Sequence, residues 1–186
     1  MIRFENVTFG YRGRRPVLEN FDLLLRPGER LCLFGPSGRG KTTVLRLLMG
    51  LEKPRRGRIT GTEGLRFSAV FQDDRLIDSR TVLENAALFA RESAARETLE
   101  RLGLGDVLDS LPGELSGGQR RRAALGRALA HPFDVLVLDE ALTGLDEAAV
   151  KNCLAQIDEA ARGKILVMAT HDLAHAHALR ASVTEL

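Results

Sequence analysis

A short apolar run, Arg30 to Phe34, leads straight into Gly35-Pro36-Ser37-Gly38-Arg39-Gly40-Lys41-Thr42, and a helix-forming stretch from Lys41 to Met49 follows, with Gly50 as its stop signal. Nothing else in the chain restricts its fold as strongly. Gly35, Gly38 and Gly40 let successive backbone N–H groups turn toward one anion, and the helix behind them aims its partial positive end at the same point. The segment matches the P-loop pattern in full, with the apolar strand before it and the helix after it that the pattern requires. Lys41 supplies a point charge for β- and γ-phosphates, and the hydroxyl of Thr42, followed by Thr43, can ligate Mg²⁺.

The rest of the chain fits a layered α/β fold. Val135 to Leu138 and Ile165 to Met168 are continuously apolar. Strands covered on both faces read this way, which predicts a mostly parallel sheet between helices. Ile2 to Phe9 alternates apolar and polar, and Phe21 to Leu25 does so in part, so an antiparallel β region is expected at the N-terminus. Pro27-Gly28 marks a turn, and Phe67 to Phe71 a further strand. Between Thr81 and Leu111, Val82, Leu83, Ala86, Ala87 and Phe89 recur at helical spacing, as do Leu99, Leu102 and Leu104. A short all-helical insert is predicted over about 76–125. Helices at about 118–130 and 147–161 flank the two apolar strands. The fold class expected is a P-loop nucleoside-triphosphatase fold.

Length and charge narrow the function. A chain of 186 residues forms one domain large enough for a full core. The net charge of +2 gives no general attraction to nucleic acid or lipid. The clusters Arg12 to Arg15 and Arg120 to Arg122 read as solvated loop or helix faces. Cys32 and Cys153 match no metal spacing, and Cys32 lies in an apolar run, which predicts a buried thiol in a reducing compartment. There is no signal-peptide pattern, and no run approaches the ~20 apolar residues of a membrane span.

Asp139-Glu140 ends the apolar strand 135–138 and so faces the crevice at the carboxyl ends of the strands. Asp139 is expected to support Mg²⁺, and Glu140 to orient and deprotonate an attacking water. Farther upstream, Leu115-Ser116-Gly117-Gly118-Gln119 opens a helix whose hydroxyl and N–H groups form a second anion site. Taken together, Gly35 to Thr43, Gln72, Leu115 to Gln119, Val135 to Glu140, Leu145-Asp146 and His171 occur in one order along nearly the whole chain. In that order they resemble the nucleotide-binding subunit of ABC transporters.

The resemblance implies ATP and Mg²⁺ as ligands, and a dimer in which two subunits sandwich two ATP molecules head to tail. Ser116, Gly117, Gly118 and Gln119 of one subunit then face the γ-phosphate held by Gly35, Pro36, Ser37, Gly38, Gly40 and Lys41 of the other. It further implies that Gln72 contacts Mg²⁺ or the attacking water and that His171 contacts the γ-phosphate. By the same resemblance Tyr11 stacks on adenine, and Asp146 communicates between the two sites. The partners implied are a second nucleotide-binding subunit, expected to be an identical copy, and an integral-membrane permease. A substrate-binding protein would complete an importer, and no nucleic acid is expected. The location implied is the cytoplasmic face of the membrane, reached through the permease. Phe71 to Leu76 is similar to the corresponding stretch of nitrate-, sulfonate- and taurine-type importers.

The sequence also departs from the family. Arg39 stands in the P-loop where a small residue is usual, and Ala141 replaces the usual proline after Glu140. The stretch between Gln72 and Leu115 is short, and the chain ends soon after His171, so no C-terminal regulatory domain is expected. His175 and His177 are read as a solvated helix face and His131 as a loop residue. The rival reading is a non-transport ABC ATPase acting on nucleic acid or ribosomes.

Overall fold

The computed structural model describes residues 1–11 and 15–186. Most of the cluster Arg12 to Arg15 therefore lies outside the described residues. Two sheets organise the chain. Strands β1 (Ile2–Phe9), β2 (Leu18–Leu25) and β4 (Arg56–Thr60) form an antiparallel sheet in the order β2-β1-β4. Strands β3 (Arg30–Phe34), β5 (Phe67–Val70), β6 (Val135–Asp139), β7 (Ile165–Ala169) and β8 (Ser182–Glu185) form a parallel sheet in the order β5-β6-β7-β3-β8. Among the described residues six α-helices complete the fold: α1 (Lys41–Leu48), α2 (Val82–Ala86), α3 (Glu92–Arg101), α4 (Gly117–Ala130), α5 (Glu147–Ala160) and α6 (Leu173–Ala178).

The apolar runs are buried on both faces, as expected. Leu136, Leu138, Leu166 and Met168 pack with Ala124, Leu125 and Ala128 of α4 and with Cys153 and Ile157 of α5. Val135, Val137, Val167 and Ala169 point the other way, onto Val44, Leu45, Leu47 and Leu48 of α1 and the inner face of β1. The period-two alternation of strand side chains thus divides one apolar run between two cores. In register, Leu33 and Asp139 both lie beside Ala169, so β3, β6 and β7 end level with one another. That common edge is where a ligand of an open α/β sheet binds.

The helical insert has its own core, in which Val82, Leu83, Ala95, Leu99, Leu104 and Leu115 surround Ala123 of α4. Helix α4 is therefore a shared wall: Ala123 faces the insert while Ala124 and Leu125 face the main sheet. Close approach is secured by Gly126, where a Cβ would stand 2.6 Å from Leu99 Cδ2. Truncating Leu99, which is fully buried, would cost about 2–5 kcal/mol. Helix α2 opens with a capping box between Thr81 and Glu84.

Strands β4 and β8 are additions to the sequence reading. Both lie on sheet edges, and in β4 only Ile59 is even half covered, so neither shows an apolar period. Strand β2 starts at Leu18, three residues before the expected Phe21, and the other differences are single residues at element ends. The strand expected to reach Phe71 stops at Val70, and α1 stops at Leu48. Both cysteines are buried free thiols, and loss of hydration pushes each up to about 11. Among the described residues no helix is long and apolar enough to cross a membrane.

Candidate nucleotide-binding site

The loop between β3 and α1 is shaped by glycine. Gly35, Gly38 and Gly40 have φ of 144°, 83° and 101°, a region that side-chain-bearing residues rarely enter. Gly40 is the N-cap of α1 and offers no side-chain cap, so the first-turn amides of the helix are left for an external acceptor. Lys41 is buried, and its Nζ donates to the carbonyls of Gly35 at 2.5 Å and Pro36 at 3.0 Å. Gly35 and Pro36 thus hold the ammonium group over the loop.

An open cleft of about 650 Å³ lies above this loop. Its floor is Ser37, Gly38, Gly40, Lys41, Thr42 and Thr43. Tyr11, Val17, Gln72, Asp139, Glu140 and His171 also line the cleft. Tyr11 is braced edge-on by Phe9, with ring centroids 5.2 Å apart. Arg39 does not line this cleft but an adjoining groove, with Glu19 and Phe21. A larger, shallower groove of about 770 Å³ on the antiparallel sheet shares no residue with the cleft, and its charges Arg58 and Glu5 pair with each other.

The acidic pair at the end of β6 divides by environment. Asp139 is buried, and loss of hydration raises its carboxyl above the usual range; the neighbouring Thr42 hydroxyl and Lys41 oppose the rise, while Glu140 adds to it. Glu140 turns out of the strand at a φ of 51°, its N–H bound to Ala169 O at 2.9 Å. Glu140 Oε2 accepts from Thr143 Oγ1 at 3.3 Å and lies 2.8 Å from His171 Nδ1. Among the described residues Glu140 Oε1 has no protein partner. The segment carrying His171 is fixed by Thr170, whose buried hydroxyl accepts from Asp172 N at 3.1 Å.

The donor set fits a hard cation. Thr42, Asp139 and Gln72 offer hydroxyl, carboxylate and amide oxygens to the same cleft. Among the described residues no three His, Cys, Asp or Glu side chains cluster for a metal. His177 is exposed as expected, whereas the side chain of His175 is largely covered and lies 3.5 Å from Asp172.

The residues Ser116 to Gln119 are not among those lining the cleft. They form the exposed N-terminus of α4, closed by a capping box: Ser116 Oγ accepts from Gln119 N at 3.2 Å, and Gln119 Oε1 accepts from Ser116 N at 2.8 Å. Asp146 caps α5 through Ala149 N at 2.8 Å. Leu145, just before it, packs beside Gly118.

The arginines after Gln119 are not solvated. Arg120 donates to Leu115 O at 2.7 Å, Arg121 to Phe71 O and Gln72 O at 3.0 and 2.7 Å, and Arg122 to Leu102 O at 2.8 Å. The expectation of a free basic face fails because these long side chains reach carbonyls that no strand or helix satisfies. Arg121 and Asp73 also line the cleft, as does Thr143; the sequence reading assigned none of these a place in the site.

A phosphate-binding loop on a parallel sheet, with an acidic pair at the neighbouring strand end, defines a P-loop nucleoside triphosphatase. The sequence profile described as "ABC transporter" matches residues 18–143. The chain is 41% identical to the "Aliphatic sulfonates import ATP-binding protein SsuB 1" of Rhodococcus jostii (strain RHA1), over 95% of this chain and 76% of that protein. It is 35% identical to the "Cell division ATP-binding protein FtsE" of Escherichia coli (strain K12), over 93% and 89% respectively. It superposes with a TM-score of 0.90, at 28% identity, on the dimeric post-hydrolysis state of the ATP-binding cassette MJ0796 bound to ADP and Pi, covering 100% of this chain and 94% of that one. The chain belongs to the ABC transporter family, as an ATP-binding and ATP-hydrolysing domain.

Proposed function

We propose that this domain powers solute transport through a separate membrane permease, working as a head-to-tail dimer of identical subunits at the cytoplasmic face. The observation that carries the reading is the split between its two anion-binding features. Tyr11, the P-loop, Gln72, Asp139, Glu140 and His171 share one cleft, while Ser116 to Gln119 lie on a different surface. A second copy is the partner that brings the two together. Import is favoured by the likeness to an aliphatic sulfonate import protein over most of both chains, and a solute-binding protein would then deliver the cargo.

In this reading Tyr11 stacks on adenine, and the Gly35–Gly40 amides with Lys41 hold the β- and γ-phosphates. Mg²⁺, when bound at Thr42, Asp139 and Gln72, neutralises charge on the phosphates. Glu140 takes a proton from water as the water oxygen attacks the γ-phosphorus. The bond to the bridging oxygen breaks, its electron pair leaves with ADP, and inorganic phosphate is the second product. His171 steadies Glu140 and contacts the γ-phosphate. Lys41 and the partner's helix N-terminus stabilise the charge on the transferring group, which is the largest share of the rate gain. The insert, with the loop around Gln72, docks the permease.

Purification of the tagged chain from native membranes tests the reading. It should bring down an integral-membrane protein and hydrolyse ATP, and Glu140→Gln should abolish turnover while leaving nucleotide bound. Recovery without a membrane protein, or full turnover by Glu140→Gln, defeats it. The likeness to a cell division ATP-binding protein supports a second reading, an ATPase driving division rather than transport. A co-purifying partner with no solute pathway would favour that one.

A further inference from the structure

The loop from Phe71 to Arg75 leaves β5 and has no strand beside it. Its carbonyls are instead taken by two arginines of α4. Arg121 donates from Nη1 to Phe71 O at 3.0 Å and from Nη2 to Gln72 O at 2.7 Å. Arg127 donates to Asp74 O at 3.0 Å and Arg75 O at 2.6 Å. Asp74 Oδ1 stands 2.9 Å from Arg121 Nη1, and both side chains are mostly covered, 13% and 24% exposed. The loop closes on itself where the Arg75 guanidinium lies over the Phe71 ring. Below it, buried Asn85 accepts from Ile77 N and donates to Ile77 O, Arg80 O and Thr81 O, fixing the far end.

We propose that Arg121 is a positioning residue for Gln72. Its planar fork holds the carbonyls on either side of the Gln72 Cα, so the orientation of that side chain toward the cleft is set by α4. The Asp74 carboxylate adds charge attraction to the fork, its Oδ1 2.9 Å from Nη1 but outside hydrogen-bond geometry. Arg127 bonds only downstream of Gln72, and Arg120 and Arg122 bond elsewhere, so this duty falls on Arg121 alone among the described arginines. A lysine carries the charge but lacks the two-pronged geometry and can serve only part of the role. The inference rests on the proposed place of Gln72 in the ATPase site.

The test compares the purified full chain with Arg121→Gln, Arg121→Lys, Gln72→Ala and the double variant Arg121→Gln/Gln72→Ala. Arg121→Gln should lower kcat by about 10- to 100-fold, with KM for ATP within about threefold. Arg121→Lys should fall between, and the double variant should be no worse than Gln72→Ala alone. Losses that multiply in the double variant, or a rise in KM with kcat intact, overturn the proposal while leaving the ATPase reading standing. Amide hydrogen exchange supplies a readout independent of activity. Exchange over residues 71–76 should quicken in Arg121→Gln while the melting temperature and exchange in α1 hold. Should Arg121→Gln fail to fold, Arg121→Lys carries both measurements, and exchange unchanged from the parent overturns the proposal.

Discussion

Helices α1 and α4 both present an N-terminus to an anion in the proposed dimer, and they are built in opposite ways. The start of α1 has glycine as its cap, no side-chain partner for its first amides, and a buried lysine in its first turn. It sits at the floor of a cleft. The start of α4 is capped by Ser116 and Gln119, exposed, and placed on no concave surface with the phosphate loop. A helix end with nothing of its own to satisfy it is ready for a ligand. A helix end that satisfies itself is stable on the surface and contributes to binding only when another body carries the ligand to it. The first is a site; the second is half of one.

The hardest test of that contrast is complementation. Lys41→Ala should lower ATP turnover at least about 100-fold by removing the charge from the cradle. Ser116→Arg should do the same by placing bulk and positive charge at the α4 end, yet it should bind nucleotide as the parent does. Mixed in equal amounts, the two inactive proteins should recover roughly a quarter of parental turnover, because half the dimers then hold one intact composite site. No recovery would mean that the two helix ends do not meet across subunits, and a Ser116→Arg protein that cannot bind nucleotide would mean that they serve one site in one chain.

The two helix ends were not equally legible. The α1 end is encoded locally: strand, glycines, lysine and helix follow one another, so residues 30–49 describe the cradle without help from the rest of the fold. Asp139 was legible for the same reason, as the end of an apolar strand. His171 enters the cleft through the order of the parallel sheet, with β7 beside β3, and Tyr11 enters it from the end of β1 in the other sheet, an arrangement that no local pattern contains. Strands β4 and β8 escaped because an edge strand with one half-covered residue has no apolar period. Arg121 escaped because an arginine run normally faces water. Its partners are carbonyls, and a carbonyl left unpaired by the end of β5 leaves no mark in the sequence.

Asp139 sharpens the contrast from the side of stability. Its carboxyl is raised above the usual range, mainly by burial. An acid raised in the folded state loses folding stability as pH climbs from the unfolded value toward the folded one, so at neutral pH the ionised group is a burden on the fold. Asp139→Asn should therefore lower turnover by tenfold or more and raise the melting temperature at neutral pH. The stability gap should close as pH falls below the unfolded value near 3.8. A variant that melts earlier at neutral pH would show Asp139 to be a structural acid, and the site end of the sheet to carry no functional strain.

The opposite end of the same strand should behave in the reverse sense, with the smallest effect. Asp134, just before β6, takes Arg66 Nε and Nη2 at 3.0 Å each and Arg66 N at 2.9 Å, joining the start of β5 to the start of β6. Those bonds hold its carboxyl down at about 2. An acid lowered in the folded state contributes stability above its unfolded value, near 3.8, and loses it as pH falls toward 2. The pair is exposed, so solvent screens it and the contribution is small. Asp134→Asn should thus lower the melting temperature slightly at neutral pH, differ less from the parent with each step below pH 4, and leave turnover within roughly twofold. Opposite shifts in melting temperature for Asp139→Asn and Asp134→Asn would place the cost of function at one end of a single five-residue strand and its support at the other. Shifts of the same sign would remove that division.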